Sequence, residues 1–233
     1  MINFQEFYKT LFNLIYPRYC NFCENKILDG DIYFCNSCYH TVDYLDITNE
    51  QKLKRGLRSE NFYSLFYFDF DSISQKIIHL IKYGKKPNLG IKMGKEFGAK
   101  LSAHNITADF IIPLPLHISR ERERGYNQAE VIAKGLSQIL NIPIRTNIIK
   151  RIKYTKSQTK LSKEQREKNV RNAFVITECN LTGKEIFILD DVITSGATIN
   201  VCIDLLEKRG AKKITALSLA LVRDIHDMSA LDI

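Results

Sequence analysis

Apolar positions along the chain change their period in a regular order. Phe4, Phe7, Tyr8, Leu11, Leu14 and Ile15 recur at helical spacing and stop before Pro17. This predicts an amphipathic helix docked on the rest of the chain, because Glu6 and Lys9 leave it little basic face for a membrane surface. After a polar, charged stretch at 46–61, residues 62–70 alternate aromatics as a strand does, and Ile73, Ile77, Ile78 and Ile81 mark a helix that ends at Tyr83-Gly84-Lys85-Lys86-Pro87. Helix 89–102, strand 110–112 and helix 126–140 follow. A short apolar strand at 186–189 leads to a helix with Ile199, Cys202, Ile203 and Leu206 at i, i+3, i+4 and i+7, stopped by Gly210, and then to a last buried strand at 214–222. Such alternation predicts an α/β fold, a doubly wound parallel sheet whose ligands bind beyond the carboxyl ends of its strands. The expected units are an N-terminal module at 1–45, a connector with a strand and helix at 46–88, and the α/β domain at 89–233.

At 233 residues and 45% apolar content the chain has enough material for a core. No apolar run approaches the roughly 18 to 20 residues that span a bilayer. The N-terminus lacks the basic stretch, apolar core and cleavage site of an export signal, so a cytoplasmic location is expected. Four of the six cysteines fall as Cys20-x2-Cys23 and Cys35-x2-Cys38, eleven residues apart. Two such knuckles can place four thiolates around one structural Zn2+, with Asp29-Gly30 turning the loop between them. His40 is then a spare polar surface residue, while Cys179 and Cys202 simply pack.

The chemistry concentrates at 185–198, EIFILDDVITSGAT. Its apolar strand runs into Asp190 and Asp191, then into a turn of small and hydroxyl residues, Thr194, Ser195, Gly196, Ala197 and Thr198, from which a helix starts. Backbone N–H groups in such a turn, with the positive end of the helix dipole behind them, suit a phosphate. Two ionised carboxylates accept hydrogen bonds only, so the pair suits the vicinal hydroxyls of a ribose whose 5′-phosphate lies in the turn. Helix capping alone needs one such residue, and five are present. Pro113-Leu114-Pro115-Leu116 leaves a neighbouring strand end and is expected to line the same crevice.

A net charge of +8 favours an anionic partner. The run 119–128 sets Arg120, Arg122 and Arg124 at every second position, a pattern equally suited to a solvated loop laced with ion pairs and to guanidinium forks for an anion. Residues 145–171 carry ten basic groups against Glu164 and Glu167, a net of about eight positives. Within them Ser162-x-x-Gln165 is a capping-box pattern for a short helix. Lys153, Lys156, Lys160, Lys163 and Arg166 read either as a solvated face or as a surface for a phosphate backbone, with Tyr154 among them. Neither a GxxxxGK[ST] loop nor a GxGxxG fingerprint occurs, which excludes helicase-type nucleotide chemistry.

Four apolar residues, two acids, two variable positions and Thr-Ser-Gly-Ala-Thr together resemble the phosphoribosyl pyrophosphate (PRPP) signature of type I phosphoribosyltransferases. A wider set resembles the ComF family, which joins a four-cysteine zinc module to a phosphoribosyltransferase-like domain. Its carriers are residues 12–23 and the second knuckle, 80–84, 113–117, 122–129, 155–161 with Gln158, Arg166 with Asn169, Val170, Ala173 and Phe174, and 183–198. The family implies handling of single-stranded DNA in natural transformation. The phosphoribosyltransferase resemblance assigns Asp190 and Asp191 to the ribose, 194–198 to the 5′-phosphate, and Pro115 and Leu116 with Arg122 and Arg124 to pyrophosphate, with Mg2+ on pyrophosphate and ribose oxygens. It also implies pentosyl transfer to a nucleobase or related acceptor as the alternative role. Expected partners are PRPP, single-stranded DNA, proteins of the competence machinery and a second copy of the chain.

Overall fold

The computed structural model describes residues 16–27, 32–47, 56–153, 172–177 and 180–223. The expected N-terminal helix, the Asp29-Gly30 turn, the Ser162 capping box, Cys179 and the residues from 224 onward lie outside these.

Four strands, β1 (Asn61–Phe68), β2 (Phe110–Pro113), β5 (Glu185–Ile193) and β6 (Lys213–Val222), form one parallel sheet in the order β1-β6-β5-β2. Each is apolar on both faces, as a strand covered from two sides requires. Phe187 and Leu189 face a core shared with helices α2 (Ile73–Lys82), α3 (Pro87–Ala103) and α5 (Gln128–Leu140). Ile186 and Ile188 face a second core under helix α6 (Ala197–Glu207). Helices α3 and α5 cross so closely that a Cβ on Gly94 would stand 2.1 Å from the Ile132 carbonyl oxygen, and one on Gly135 2.1 Å from that of Ile91. These mid-helix glycines exist for backbone contact.

The α/β reading holds, with two additions. First, β1 and α2, which the sequence pattern places in a connector, belong to the main body: β1 pairs with β6 from Asn61↔Thr215 to Phe68↔Val222. Secondly, strands β3 (Ile149–Arg151) and β4 (Phe174–Ile176) form a small antiparallel pair over the α6 face.

The cysteine module carries only a short helix, α1 (Asn36–Tyr39), among its described residues. It is joined to the sheet by its own backbone, since Leu45 N–H donates to the Leu65 carbonyl and Tyr67 N–H to that of Asp43, both at 3.0 Å. The Tyr39 hydroxyl donates to Glu96 of α3 at 2.5 Å and the Tyr44 hydroxyl at 3.0 Å, while Lys92 and Lys100 lie over the two rings. No helix among the described residues is long and apolar enough to cross a membrane.

Candidate functional site

Strand β5 runs four residues past its apolar segment, because β6 keeps pairing with it as far as Ile193↔Leu221. Asp190 and Asp191 therefore lie within the strand, opposite Ser218 and its neighbours, and not at its carboxyl end as the apolar run suggests. Successive side chains of a strand project to opposite faces. Asp191 shares the face of Phe187 and Leu189 and forms an ion pair with Lys82 of α2, Nζ to Oδ2 at 3.4 Å, with side-chain exposures of 5% for the lysine and 13% for the acid.

Asp190 lies on the α6 face, in the row Ser64, Ser218, Asp190 that crosses three strands. Ser218 Oγ donates to Ser64 Oγ at 3.1 Å, and the Asp191 amide donates to Asp190 Oδ1 at 2.8 Å. Burial pushes the Asp190 carboxyl up, the Asp191 carboxylate adds to the push, and its final value is about 7 despite the Asp191 amide and Lys82. Cys202 of α6 is fully buried nearby; burial raises its thiol, Asp190 adds to this, and Arg151 of β3 opposes it.

Beyond β5, Thr194 is half-buried and Ser195 exposed, and Gly196 takes a left-handed conformation, φ 70°, where a side chain would be strained. Gly196 is the N-cap of α6, and no side chain caps that end. The first amides of α6, from Ala197 and Thr198 onward, thus open at the strand's carboxyl end. The Pro-rich turn leaves β2 level with the residue before Asp190: Pro113 pairs with Leu189, and the Leu114 amide donates to the Leu189 carbonyl at 2.8 Å. Pro115 and Leu116 follow, half-buried.

The arginine run is a short helix, α4 (Ile118–Arg124), and not a loop. His117 caps it, its Nδ1 accepting from the Ser119 amide at 3.2 Å, and Gly125 ends it at φ 83°. At 100° per residue, alternate arginines diverge around such a helix. Arg122 is exposed, whereas Arg124 is buried, donating to Gln128 Oε1 at 2.8 Å and to the Tyr83 hydroxyl at 3.2 Å. Asn127 ties the following turn to the Pro-rich one by donating to the Leu114 carbonyl at 3.0 Å.

The four cysteine sulfurs lie within 4.8 Å of one another, a set that could hold one metal ion. Tetrahedral zinc with bonds of about 2.3 Å needs sulfurs about 3.8 Å apart, and Cys23 and Cys35 sulfurs are at 3.7 Å. Burial raises the Cys20 thiol, yet backbone hydrogen bonds from Cys23, Cys35 and Phe22 outweigh it and bring it down to about 6. Such amides stabilise a thiolate. Cys20, Cys23, Cys35 and Cys38 therefore fit a structural ion, with His40 exposed and outside the set.

Of the basic residues singled out for nucleic acid, Lys153 is exposed just past β3, while Lys156, Lys160, Lys163 and Arg166 lie outside the described residues. The basic segment leaves and rejoins the described chain beside the Arg151↔Phe174 pair, on the α6 face. The sequence does not mark Lys82 as a site residue: it lies within 80–84, and a lysine in the last turn of an apolar helix equally complements the helix dipole.

Residues 127–227 match the phosphoribosyl transferase domain family. The chain is 41% identical over 112 residues to "Competence protein F" of Haemophilus influenzae, covering 47% of this chain and 49% of that protein. It is 30% identical over 143 residues to "DNA utilization protein YhgH" of Escherichia coli O157:H7, covering 59% and 63%, and 28% identical over 117 residues to "Competence protein ComFC" of Bacillus subtilis, covering 47% and 43%. The chain thus spans between about two fifths and three fifths of the length of these relatives. A phosphoribosyltransferase-type parallel sheet, a four-cysteine cluster ahead of it and these relatives together support the resemblance of the chain to the ComF family.

Proposed function

We propose that the protein handles single-stranded DNA during natural transformation in the cytoplasm and that its phosphoribosyltransferase-like domain binds PRPP. The observation that carries the PRPP half is that Asp190 and Asp191 lie in the last four residues of β5, ahead of an uncapped helix N-terminus at Gly196. Asp190 and Asp191 accept from the ribose hydroxyls. The amides and hydroxyls of Thr194, Ser195, Gly196, Ala197 and Thr198 hold the 5′-phosphate. Pro115 and Leu116 shape the pyrophosphate end, where Arg122 reaches the anion directly and Arg124 adds charge from behind Tyr83. Magnesium, when bound with PRPP, neutralises pyrophosphate and ribose oxygens.

The printed names of the relatives, competence and DNA utilization, support the DNA half, as does the basic segment that departs from β3 on the α6 face. Single-stranded DNA binding measured by fluorescence anisotropy against salt tests it. Four or five phosphate contacts give an expected log–log slope of about −3 at roughly −0.7 per phosphate. Replacing Lys153, Lys156, Lys160, Lys163 and Arg166 together by alanine flattens the slope. No binding at low salt, or a salt-independent affinity in the wild type, contradicts the reading.

A working transferase is the second reading, favoured by the complete signature from Ile186 to Thr198. Its transition state develops charge as pyrophosphate leaves, so positioned cations and amides suffice without a protein nucleophile. Pyrophosphate release screened with candidate bases and with DNA separates the two: release dependent on an acceptor supports the transferase, and none supports PRPP as a ligand.

A further inference from the structure

Lys82 ends an otherwise apolar helix with its ammonium buried against Asp191. A lysine withdrawn from water is costly unless paired and held, and the last turn of α2 is held from three directions. The Tyr126 hydroxyl donates to the Ile81 carbonyl at 2.6 Å, and the Arg124 guanidinium lies 4.9 Å over the Tyr83 ring. At Gly84 any Cβ would come within 2.9 Å of the Leu80 carbonyl oxygen, so the chain can turn there only without a side chain. The segment Leu80–Gly84 and the segment Arg124–Gln128 thus form one support whose charged tip is Lys82. We propose that Lys82 is a positioning residue of the phosphoribosyl site: its buried ammonium, paired with Asp191, holds that carboxylate aimed so that a ribose hydroxyl meets an oriented acceptor. This role rests on the PRPP reading above.

The titratable and charged groups around Asp191 are Lys82 from α2 and Asp190 beside it on β5, with Cys202 of α6 and Arg151 of β3 on the Asp190 side and Arg124 of α4 engaged by Gln128 and Tyr83. Without Lys82, Asp191 loses its ion-pair partner and the rim loses the cation that lowers the Asp190 carboxyl. A ligand needing two acceptors then binds weakly until the pH rises far enough to remove the extra proton.

The experiment compares the full wild-type chain with Lys82→Met, Lys82→Gln and Lys82→Arg. Calorimetry with PRPP and magnesium runs from about pH 6 to about pH 9, and the Asp190 carboxyl carbon is titrated by NMR in the ligand-free proteins. The expected result is a loss of about tenfold or more in PRPP affinity near neutral pH for the Met and Gln variants. That loss shrinks as pH rises, Asp190 titrates higher than in the wild type because the lowering by Lys82 is gone, and Lys82→Arg restores both properties. An unchanged Asp190 titration, or a loss of affinity equal at every pH, overturns the role. Absence of PRPP binding by the wild type overturns the PRPP reading and the ligand half of this role, while the carboxyl titration separately upholds or overturns the ionic half.

Discussion

The cysteine cluster and the β5 rim each gather ionisable groups into a small volume, with opposite consequences for the fold. At the cluster, four sulfurs converge at metal-ligand spacing, backbone amides favour the thiolate of Cys20, and the surrounding module is mostly loop. A bound ion there adds stability. At the rim, two acids stand side by side in a buried strand, one held by Lys82 and the other left with a carboxyl raised to about 7. The ligand-free fold carries that repulsion, and on the proposed reading it is the ribose hydroxyls of PRPP that relieve it. A structural site and a binding site can thus be told apart by whether their charges are satisfied by the protein itself.

The largest effect expected from this contrast is loss of the metal. Chelation, or Cys20→Ser with Cys38→Ser, should unfold residues 16–47, since structural zinc contributes on the order of 10 kcal/mol to small modules. Metal analysis and hydrogen exchange check it, and one zinc per chain retained in the variant would show that the four thiolates are not the ligands. Next comes the joint between the two regions. Glu96→Ala removes the acceptor of both Tyr39 and Tyr44, with an expected cost of about 2 to 4 kcal/mol in urea unfolding. A change near zero would mean that the module is held by its backbone bonds to β1 and its apolar contacts without Glu96.

A smaller effect, of opposite sign, belongs to the rim. Burial and Asp191 raise Asp190 from its ordinary 3.8 to about 7, so the folded state holds that proton more tightly than the unfolded state. This contribution to stability is full below about 4, falls as pH rises, and is gone above about 7. Asp190→Asn should therefore gain on the wild type across that window and remain more stable above it, by about 1 to 2 kcal/mol, while losing PRPP. Thermal unfolding at several pH values checks the sign; an Asn variant less stable at neutral pH would show that Asp190 is satisfied in the ligand-free protein. The smallest effect is expected far from both regions, where Lys212→Ala removes the exposed ion pair with Glu185 and should leave the unfolding midpoint unchanged.

The parts of the molecule legible in the sequence are those specified locally. β2, β5 and β6 announce themselves as apolar runs, α3 and α5 by their helical stripes, and the knuckles and the Asp190–Thr198 segment by residue types packed into a few positions. What escapes is set by tertiary contact. Strands β3 and β4 have three residues each, too few for a period, and their partners are more than twenty residues apart. Helix α4 has no apolar stripe because its sequence alternates Arg and Glu, and only its contacts with Tyr83 and Gln128 reveal which arginine is inside. β1 reads as part of a connector because its partner, β6, lies at the far end of the chain. The opposed directions of Asp190 and Asp191 follow from β6 extending the strand, which residues 185–198 alone do not show.

The β5 rim is put to the test by titrating PRPP with magnesium into the wild-type protein and into the Asp190→Ala/Asp191→Ala double variant, with zinc content matched. Saturable binding is expected for the wild type, and an affinity about a hundredfold weaker, or no measurable binding, for the variant. Equal affinity in the two proteins would rule out the two acids as the ribose acceptors.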